Sequence, residues 1–234
     1  MFKAFKPGTA LTISMLVALS ILLALGTWQA RKIGPKTDLL ARIDQGLKAE
    51  PMRLPIHLDD PKPVEYRRVF FSGDRVGEPI KVFGINQNGG AGYFLYAPVK
   101  RDHGMAVLVN FGWIPHASKS IPQLPERVSN LSGVLLTSAT PGTMTLANEP
   151  EKGDWFLADV HEMAAHFNLR TKEYYHFRVF ADHVGEANSL PLGGQVRVDI
   201  PNDHLEYALT WYGLAASLLG IFIAFGIKRG RKAA

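Results

Sequence analysis

Eight histidines and no cysteine bound the chemistry open to this 234-residue chain. Without cysteine there is no C-x-x-C-H for covalent haem, no thiolate copper or zinc site, no lipid-modified cysteine and no redox dithiol. Histidine remains, as an imidazole ligand or a titrating group. His161 and His166 enclose Glu162-Met163-Ala164-Ala165 in a stretch that resembles a zinc-protease helix but is one residue too long. Such a helix needs its histidines at i and i+4; at i+5 they diverge by about 140°. The segment therefore reads as an amphipathic surface helix. Gly89, Gly90 and Gly92 lack both the phosphate-loop lysine and the dinucleotide fingerprint, which leaves a turn before a strand. No G-x-S-x-G elbow occurs and no Ser, His and acid stand in a recognisable hydrolase spacing, so enzymatic readings start poorly. Copper delivery would need clustered His and Met, and these are scattered.

His204 is in a more constrained setting. It opens His204-Leu205-Glu206-Tyr207-Ala208-Leu209-Thr210-Trp211-Tyr212, which runs straight into an apolar stretch. From Tyr207 to Ile227 lie 21 residues without a formal charge, and Lys228, Arg229, Arg231 and Lys232 follow. At about 1.5 Å per residue, a helix of that length covers the roughly 30 Å hydrocarbon core of a bilayer. His204 is thus expected where water meets lipid, one turn above Tyr207 and two above Trp211. A histidine there can titrate, ligate a metal or sit among headgroups beside an aromatic belt. The residue types alone leave ligation and the interfacial role both open.

These residues need elements to hold them. A second uncharged run spans Pro7 to Ala30, 24 residues, with Leu11 to Leu25 almost wholly apolar. A cleaved signal peptide is the alternative, given Lys3, Lys6 and the small residues Ala24 and Gly26. The run is long for a signal core, however, and Trp28 and Tyr207 would form aromatic belts at one membrane face, which favours an anchor. Basic residues at both ends place both termini in the cytoplasm. The expected order is an N-tail over 1–8, a membrane helix over 9–30, an extracytoplasmic domain over 31–206, a second membrane helix over 207–227 and a basic tail over 228–234. The insert over 31–206 holds all 21 acidic residues, which lie between Asp38 and Glu206, and 20 Lys/Arg, so it is near −1 and the six other basic residues sit in the tails. The pI near 9.4 thus reports topology, and no nucleic-acid partner is expected. Eight residues before the first helix are too few for a mitochondrial presequence, and a bacterial inner membrane is the expected home.

Within the insert, Leu39, Leu40, Ile43 and Leu47 recur at helical spacing, which predicts a helix over 36–50 that Pro51 ends, continuing or packing beside the first membrane helix. Pro51, Pro55, Pro61 and Pro63 make a connector. Strands are predicted at 69–71, 80–85, 92–98, 105–110, 132–137, 174–180 and 195–200; the last two alternate, implying one wet and one packed face each. A single later helix is predicted over about 158–167. Short strands without βαβ alternation argue for a membrane-anchored α+β chain, its domain a mainly antiparallel sandwich or partial barrel with one or two helices.

On a helical projection at 100° per residue, Ala208, Trp211, Ala215 and Phe222 fall within about 40° of His204. Gly213, Ala216, Gly220 and Ala224 form a small-residue ribbon on the opposite side, of the type that lets membrane helices approach closely. The ribbon is therefore expected to pack on the first helix. That leaves the His/Trp face free, with Ala208 and Ala215 giving room beside Trp211 for a flat apolar ligand.

Six segments in order resemble the Surfeit locus protein 1 family across nearly the whole chain. Gly26-Thr27-Trp28-Gln29-Ala30-Arg31 is similar to that family's G-x-W-Q-x-x-R, Glu65-Tyr66-Arg67-Arg68-Val69 to its E-Y-R stretch, and Gly92-Tyr93 through Pro98 to its G-Y-x-x-x-x-P strand. Val109-Asn110-Phe111-Gly112-Trp113-Ile114-Pro115 resembles V-N-R-G-W-x-P. Asn148-Glu149-Pro150, Trp155-Phe156 and Asp159 match N-x-P…W-F/Y…D, and His204 to Trp211 matches H-L-x-Y-A-x-T-W. The chain departs at Phe111, where the family commonly has Arg; a pairing role would then be missing or passed to Arg67 or Arg68, while a structural one would leave Phe111 to pack. The resemblance implies a non-enzymatic assembly factor for haem-copper cytochrome oxidase that binds haem a and aids its insertion into oxidase subunit I. It implies His204 as axial ligand of the haem iron, Trp211 as packing wall, and Trp28 with Gln29 as a second side. The implied partners are subunit I, haem a synthase and membrane lipid. A haem-free scaffold that stabilises an oxidase intermediate is the rival reading.

Overall fold

A computed structural model describes residues 5–183, 189–196 and 203–232, with Lys232 through its backbone only. The chain divides into two compact units, Met1–Ala41 with Ile200–Ala234, and Arg42–Asp199. Helix α1 covers Thr9–Lys48 without a break, joining the two expected helices into one of 40 residues. Gly34 and Pro35 lie inside it; Pro35 has no N–H to offer Arg31, so one hydrogen bond of the ladder is missing there. Helix α3 covers His204–Lys232. Both are long and apolar enough to cross a membrane.

The second unit is built on strands β1 (Met52–Arg53), β2 (Arg68–Arg75), β3 (Ile80–Ile85), β4 (Ala91–Arg101), β5 (Ala106–Pro115), β6 (Arg127–Thr137) and β7 (Tyr174–Ala181), with helix α2 at Val160–His166. The hydrogen-bonded order is β1-β2-β6-β7-β5-β4-β3, and β2 also pairs with β4. That last pairing closes β2, β6, β7, β5 and β4 into a five-stranded barrel. Of the two architectures expected, the barrel is the one found. Pairing is mainly antiparallel, with β1–β2 and β5–β7 parallel.

Closure depends on β2 changing neighbours. Phe71 is opposite Leu131 of β6, a bulge follows, and Gly73, Asp74 and Arg75 then also face Arg101, Lys100 and Val99 of β4. A bulge bends its strand and makes such a switch possible. Gly73 is required at the crossing, because a Cβ there would stand 2.3 Å from the Lys100 carbonyl oxygen.

Alternation sorts the side chains into two cores. Leu95, Val107, Val109, Phe111, Leu135, Phe177 and Val179 are buried together in the cluster that fills the barrel. Trp155, Met163, Val160, Leu108, Tyr174 and Phe180 form a second cluster beneath α2. The wet face expected for 174–180 is found in part: His176 is exposed and Arg178 half-buried, but Tyr174 and Phe180 on the same face are covered by α2 and the segment holding Trp155, while the other face lies in the barrel core. Strands 69–71, 80–85, 92–98 and 132–137 lie within β2, β3, β4 and β6, and 105–110 lies within β5 apart from Met105, which precedes it. Of the strand expected at 195–200, Gln195 and Val196 are in no strand, and residues 197–200 lie outside the described residues.

Arg101 is buried at one end of the barrel, and among the described residues no carboxylate pairs with it. Its guanidinium donates to the Pro55 carbonyl (2.8 Å), the Tyr175 hydroxyl (2.6 Å) and the Leu54 carbonyl, and lies 5.5 Å from the Tyr175 ring centroid. Carbonyl and π-face partners replace the water that a buried cation loses.

Candidate functional site

The helical unit is an antiparallel pair. At one end Gln29 of α1 meets His204 of α3; at the other the Lys6 amide donates to the Gly226 carbonyl at 3.1 Å, and Phe5 meets Phe222 edge-on with centroids 5.7 Å apart. His204, Ala208, Trp211, Ala215, Leu218 and Phe222 succeed one another at spacings of four and three. That rhythm of 3.5 residues keeps one seam facing a partner helix. Ala208 (3 %), Ala215 (3 %) and Phe222 (9 %) are buried there.

This reverses the packing expected from the glycines. Gly213 and Gly220 have nothing within 4 Å of where a Cβ would stand, and Ala216 and Ala224 are exposed, so the small-residue ribbon faces outward. The His/Ala/Trp face packs on α1 instead. The reason is fit: small residues alternating with large ones on a heptad seam interdigitate with a neighbour, whereas a ribbon without knobs leaves nothing for a neighbour to hold. Ala208 and Ala215 consequently give no slot beside Trp211. The apolar gap in the seam lies about four turns from His204, a cavity of about 370 Å³ bordered by Met15, Ala18, Leu218 and Phe222.

The head of the seam is polar and defined. Gln29 Oε1 lies 2.7 Å from His204 Nδ1. About two turns further along α3, the Tyr212 hydroxyl and Thr27 Oγ1 are 3.2 Å apart, and the Tyr212 ring lies against Gly26, where a Cβ would come within 2.8 Å of it. Gly26, Thr27 and Gln29 thus hold α3 through consecutive contacts on one segment of α1.

Of the expected site residues, the structure brings His204 and Gln29 together and places Trp211 half-buried on the same seam. Trp28 is not part of that contact: it is 54 % exposed, and the Lys32 ammonium lies 6.0 Å from its ring centroid. Leu205 and Tyr207 are likewise exposed. A haem would need an imidazole lone pair, apolar surface for its ring and cations for its propionates. Half-buried His204, exposed Trp28 and Tyr207, and Lys32 with Arg31 supply those donor and surface types on this unit, and so fit the group; the Ala208/Ala215 face does not. Tyr212 was missed in the sequence, where it reads as one more belt aromatic.

Elsewhere the motif residues hold structure. Asn148 Oδ1 accepts from the Phe156 and Leu157 amides at 2.8 and 2.9 Å, and Asp159 caps α2 through the His161 and Glu162 amides. Glu65 accepts from the Thr137 amide and hydroxyl, and Arg68 pairs with Asp182. Phe111 is fully buried in the barrel cluster, so in this chain the position packs. Gly89 and Gly90 lie in the β3–β4 turn, where Asn86 Oδ1 accepts from the Asn88 and Gly90 amides. His161 and His166 diverge: His166 lies edge-on to Trp155, whereas His161 Nδ1 is 2.8 Å from the Tyr174 hydroxyl and its ring is 4.9 Å from that of His176. Burial first, and the Asp159 charge second, raise the Tyr174 phenol above its ordinary 10.0. Among the described residues no three His, Cys, Asp or Glu side chains converge to hold a metal.

Two apolar antiparallel helices that bracket a five-stranded barrel in sequence, with a histidine clamped at the head of their seam, define the class of protein. The sequence model of the SURF1 family matches residues 16–216, and the chain belongs to that family. It is 29 % identical over 216 residues to a SURF1-like protein of Rickettsia felis, covering 90 % of this chain and 94 % of that one. A SURF1-like protein of Monosiga brevicollis is 28 % identical over 248 residues, covering 98 % and 92 %. Surfeit locus protein 1 of Homo sapiens is 29 % identical over 215 residues, covering 82 % and 70 %.

Proposed function

We propose that this protein is a membrane-bound assembly factor for a haem-copper oxidase, a carrier and not a catalyst, which binds haem a and aids its insertion into subunit I. In this reading α1 and α3 cross a bacterial inner membrane with both termini cytoplasmic. The barrel unit then lies outside and docks on subunit I or on haem a synthase. The observation that carries the reading is the Gln29–His204 contact at the head of the helix pair. A histidine that served only as an interfacial residue would need no partner on the other helix. Bound haem would supply the iron and the redox chemistry; the chain would supply His204 as axial ligand, Trp28 and Tyr207 as apolar surface, Trp211 as the wall behind the ligand, and Lys32 for a propionate.

The protein should be purified from cells with and without haem a synthesis and its absorption spectrum recorded. A red-shifted haem band is expected only in the first case, and His204→Ala should remove it. A band retained by His204→Ala at full occupancy would overturn the ligand assignment. The haem-free scaffold has one observation in its favour, the closure of the Ala208/Ala215 face against α1, which leaves the haem an outer surface and no preformed slot. Normal oxidase assembly with a protein that never carries haem would decide for it.

A further inference from the structure

The Gln29–His204 contact specifies which nitrogen of the ring is available. A side-chain amide oxygen has lone pairs and no hydrogen, so Gln29 Oε1 can only accept. With the amide placed so that Oε1 faces His204 Nδ1 at 2.7 Å, Nδ1 is the donor; the reversed amide would present N–H to the ring and select the other tautomer, which makes the tautomer the quantity to measure. In a neutral imidazole the other nitrogen then carries the lone pair, so Nε2 is the atom free to bind a metal. Oε1 is held at this place from behind. Gly26 and Thr27, on the same turn of α1, engage the Tyr212 ring and hydroxyl, which sets the register of α1 on α3.

We infer that Gln29 is the positioning residue for His204: it fixes the Nδ1–H tautomer and ring orientation, presents Nε2 to the iron, and, being uncharged, keeps that nitrogen a moderate and releasable donor. The inference rests on the haem-ligand reading proposed above and deepens it. Partners behind a metal-bound histidine raise its basicity, a carboxylate more than an amide, because a full negative charge draws the Nδ1 proton towards itself. A permanent site gains from the stronger donor. A carrier has to give its cargo up, and the neutral amide orients the ring without that extra hold. A hydrocarbon side chain at the same place would free the ring to rotate and to populate the Nε2–H tautomer, whose bare nitrogen is the one facing α1.

The test begins on the haem-free full-length protein in lipid nanodiscs, with histidine labelled by 15N and the His204 signals assigned by their loss in His204→Gln. Wild type should show protonated Nδ1 and bare Nε2, and Gln29→Leu a mixed or inverted pattern. With haem a added, Gln29→Leu should weaken binding by about 10- to 100-fold, the usual effect of losing such a partner. Gln29→Glu should lower the reduction potential and slow loss of haem to excess apomyoglobin. An Nε2–H tautomer in the wild type overturns the inference. So do Gln29 variants with wild-type tautomer, affinity and potential while His204→Ala loses its haem; in that case the ligand reading stands and only Gln29's role falls. Haem retained unchanged by His204→Ala sinks the ligand reading, and the tautomer of the haem-free protein then reports separately on the clamp. Should Gln29→Leu fail to fold, the wild-type tautomer and the isosteric Gln29→Glu still decide.

Discussion

Replacing Gly26 by alanine puts a methyl group where the Tyr212 ring now lies, 2.8 Å from its nearest carbon. The backbone of α1 is fixed by its own hydrogen bonds, so the ring must give. It cannot swing far and keep its 3.2 Å contact with Thr27. The lost hydrogen bond is worth about 1 kcal/mol and overpacking typically costs about 1–3 kcal/mol. Alanine offsets about 1 kcal/mol of this as the better helix former, so the net cost of Gly26→Ala is about 1–3 kcal/mol, and Gly26→Leu lies at the upper end. At 1.4 kcal/mol per decade this is roughly a 5- to 150-fold shift in the equilibrium between packed and separated helices. Gly220→Ala is the control, since nothing lies within 4 Å of its added methyl. It should be neutral or slightly stabilising, because alanine is the better helix former. Both variants, and Gly26→Ala combined with Tyr212→Phe, can be compared by thermal unfolding in detergent followed by circular dichroism. Gly26→Ala should melt clearly below wild type and Gly220→Ala at or above it. Equal losses, or a larger loss at Gly220, would refute the seam and restore the ribbon as the packing face.

Phe111→Ala should destabilise the barrel by about 3–5 kcal/mol and Phe111→Leu by under about 1.5 kcal/mol in chemical denaturation, as befits a buried aromatic and not a ligand-pairing site. The Tyr66 phenol, raised above 10.0 by burial first and by Glu65 second, should ionise later than exposed tyrosines in an ultraviolet titration, as should Tyr174, and Tyr66→Phe should remove one tyrosine's share of that late component, leaving Tyr174's. The folded value of Tyr66 lies above the unfolded one, so its contribution to stability is complete below about pH 10 and is lost as pH rises through the folded value.

The strands were legible because alternation and β-branched runs are local properties, and β3 falls on Ile80–Ile85 as its residues suggest. Closure was not legible. It depends on Gly73 of β2 pairing with Arg101 of β4, partners 28 residues apart that no window of sequence displays. The covered part of the second face of β7 was hidden for a related reason: Trp155 and α2, which bury Tyr174 and Phe180, come from a loop and a helix placed only by the finished fold. In the helices the signals were present but ranked wrongly. The glycine ribbon drew attention as a packing motif, while the heptad rhythm of His204, Ala208, Trp211, Ala215 and Phe222, which does pack, was read as a free face. Gln29 was placed near His204 only through family resemblance. The bond between them joins positions 175 residues apart, and no spacing rule announces it.

The central claim is that His204 Nε2 holds the haem iron, and ligand rescue tests it most directly. His204→Gly, purified from cells making haem a, should lack haem and regain a low-spin haem a spectrum when imidazole is supplied with haem a, since the free imidazole occupies the space of the missing ring. Haem retained by His204→Gly without imidazole, or no recovery with it in a protein that remains folded, would contradict the assignment.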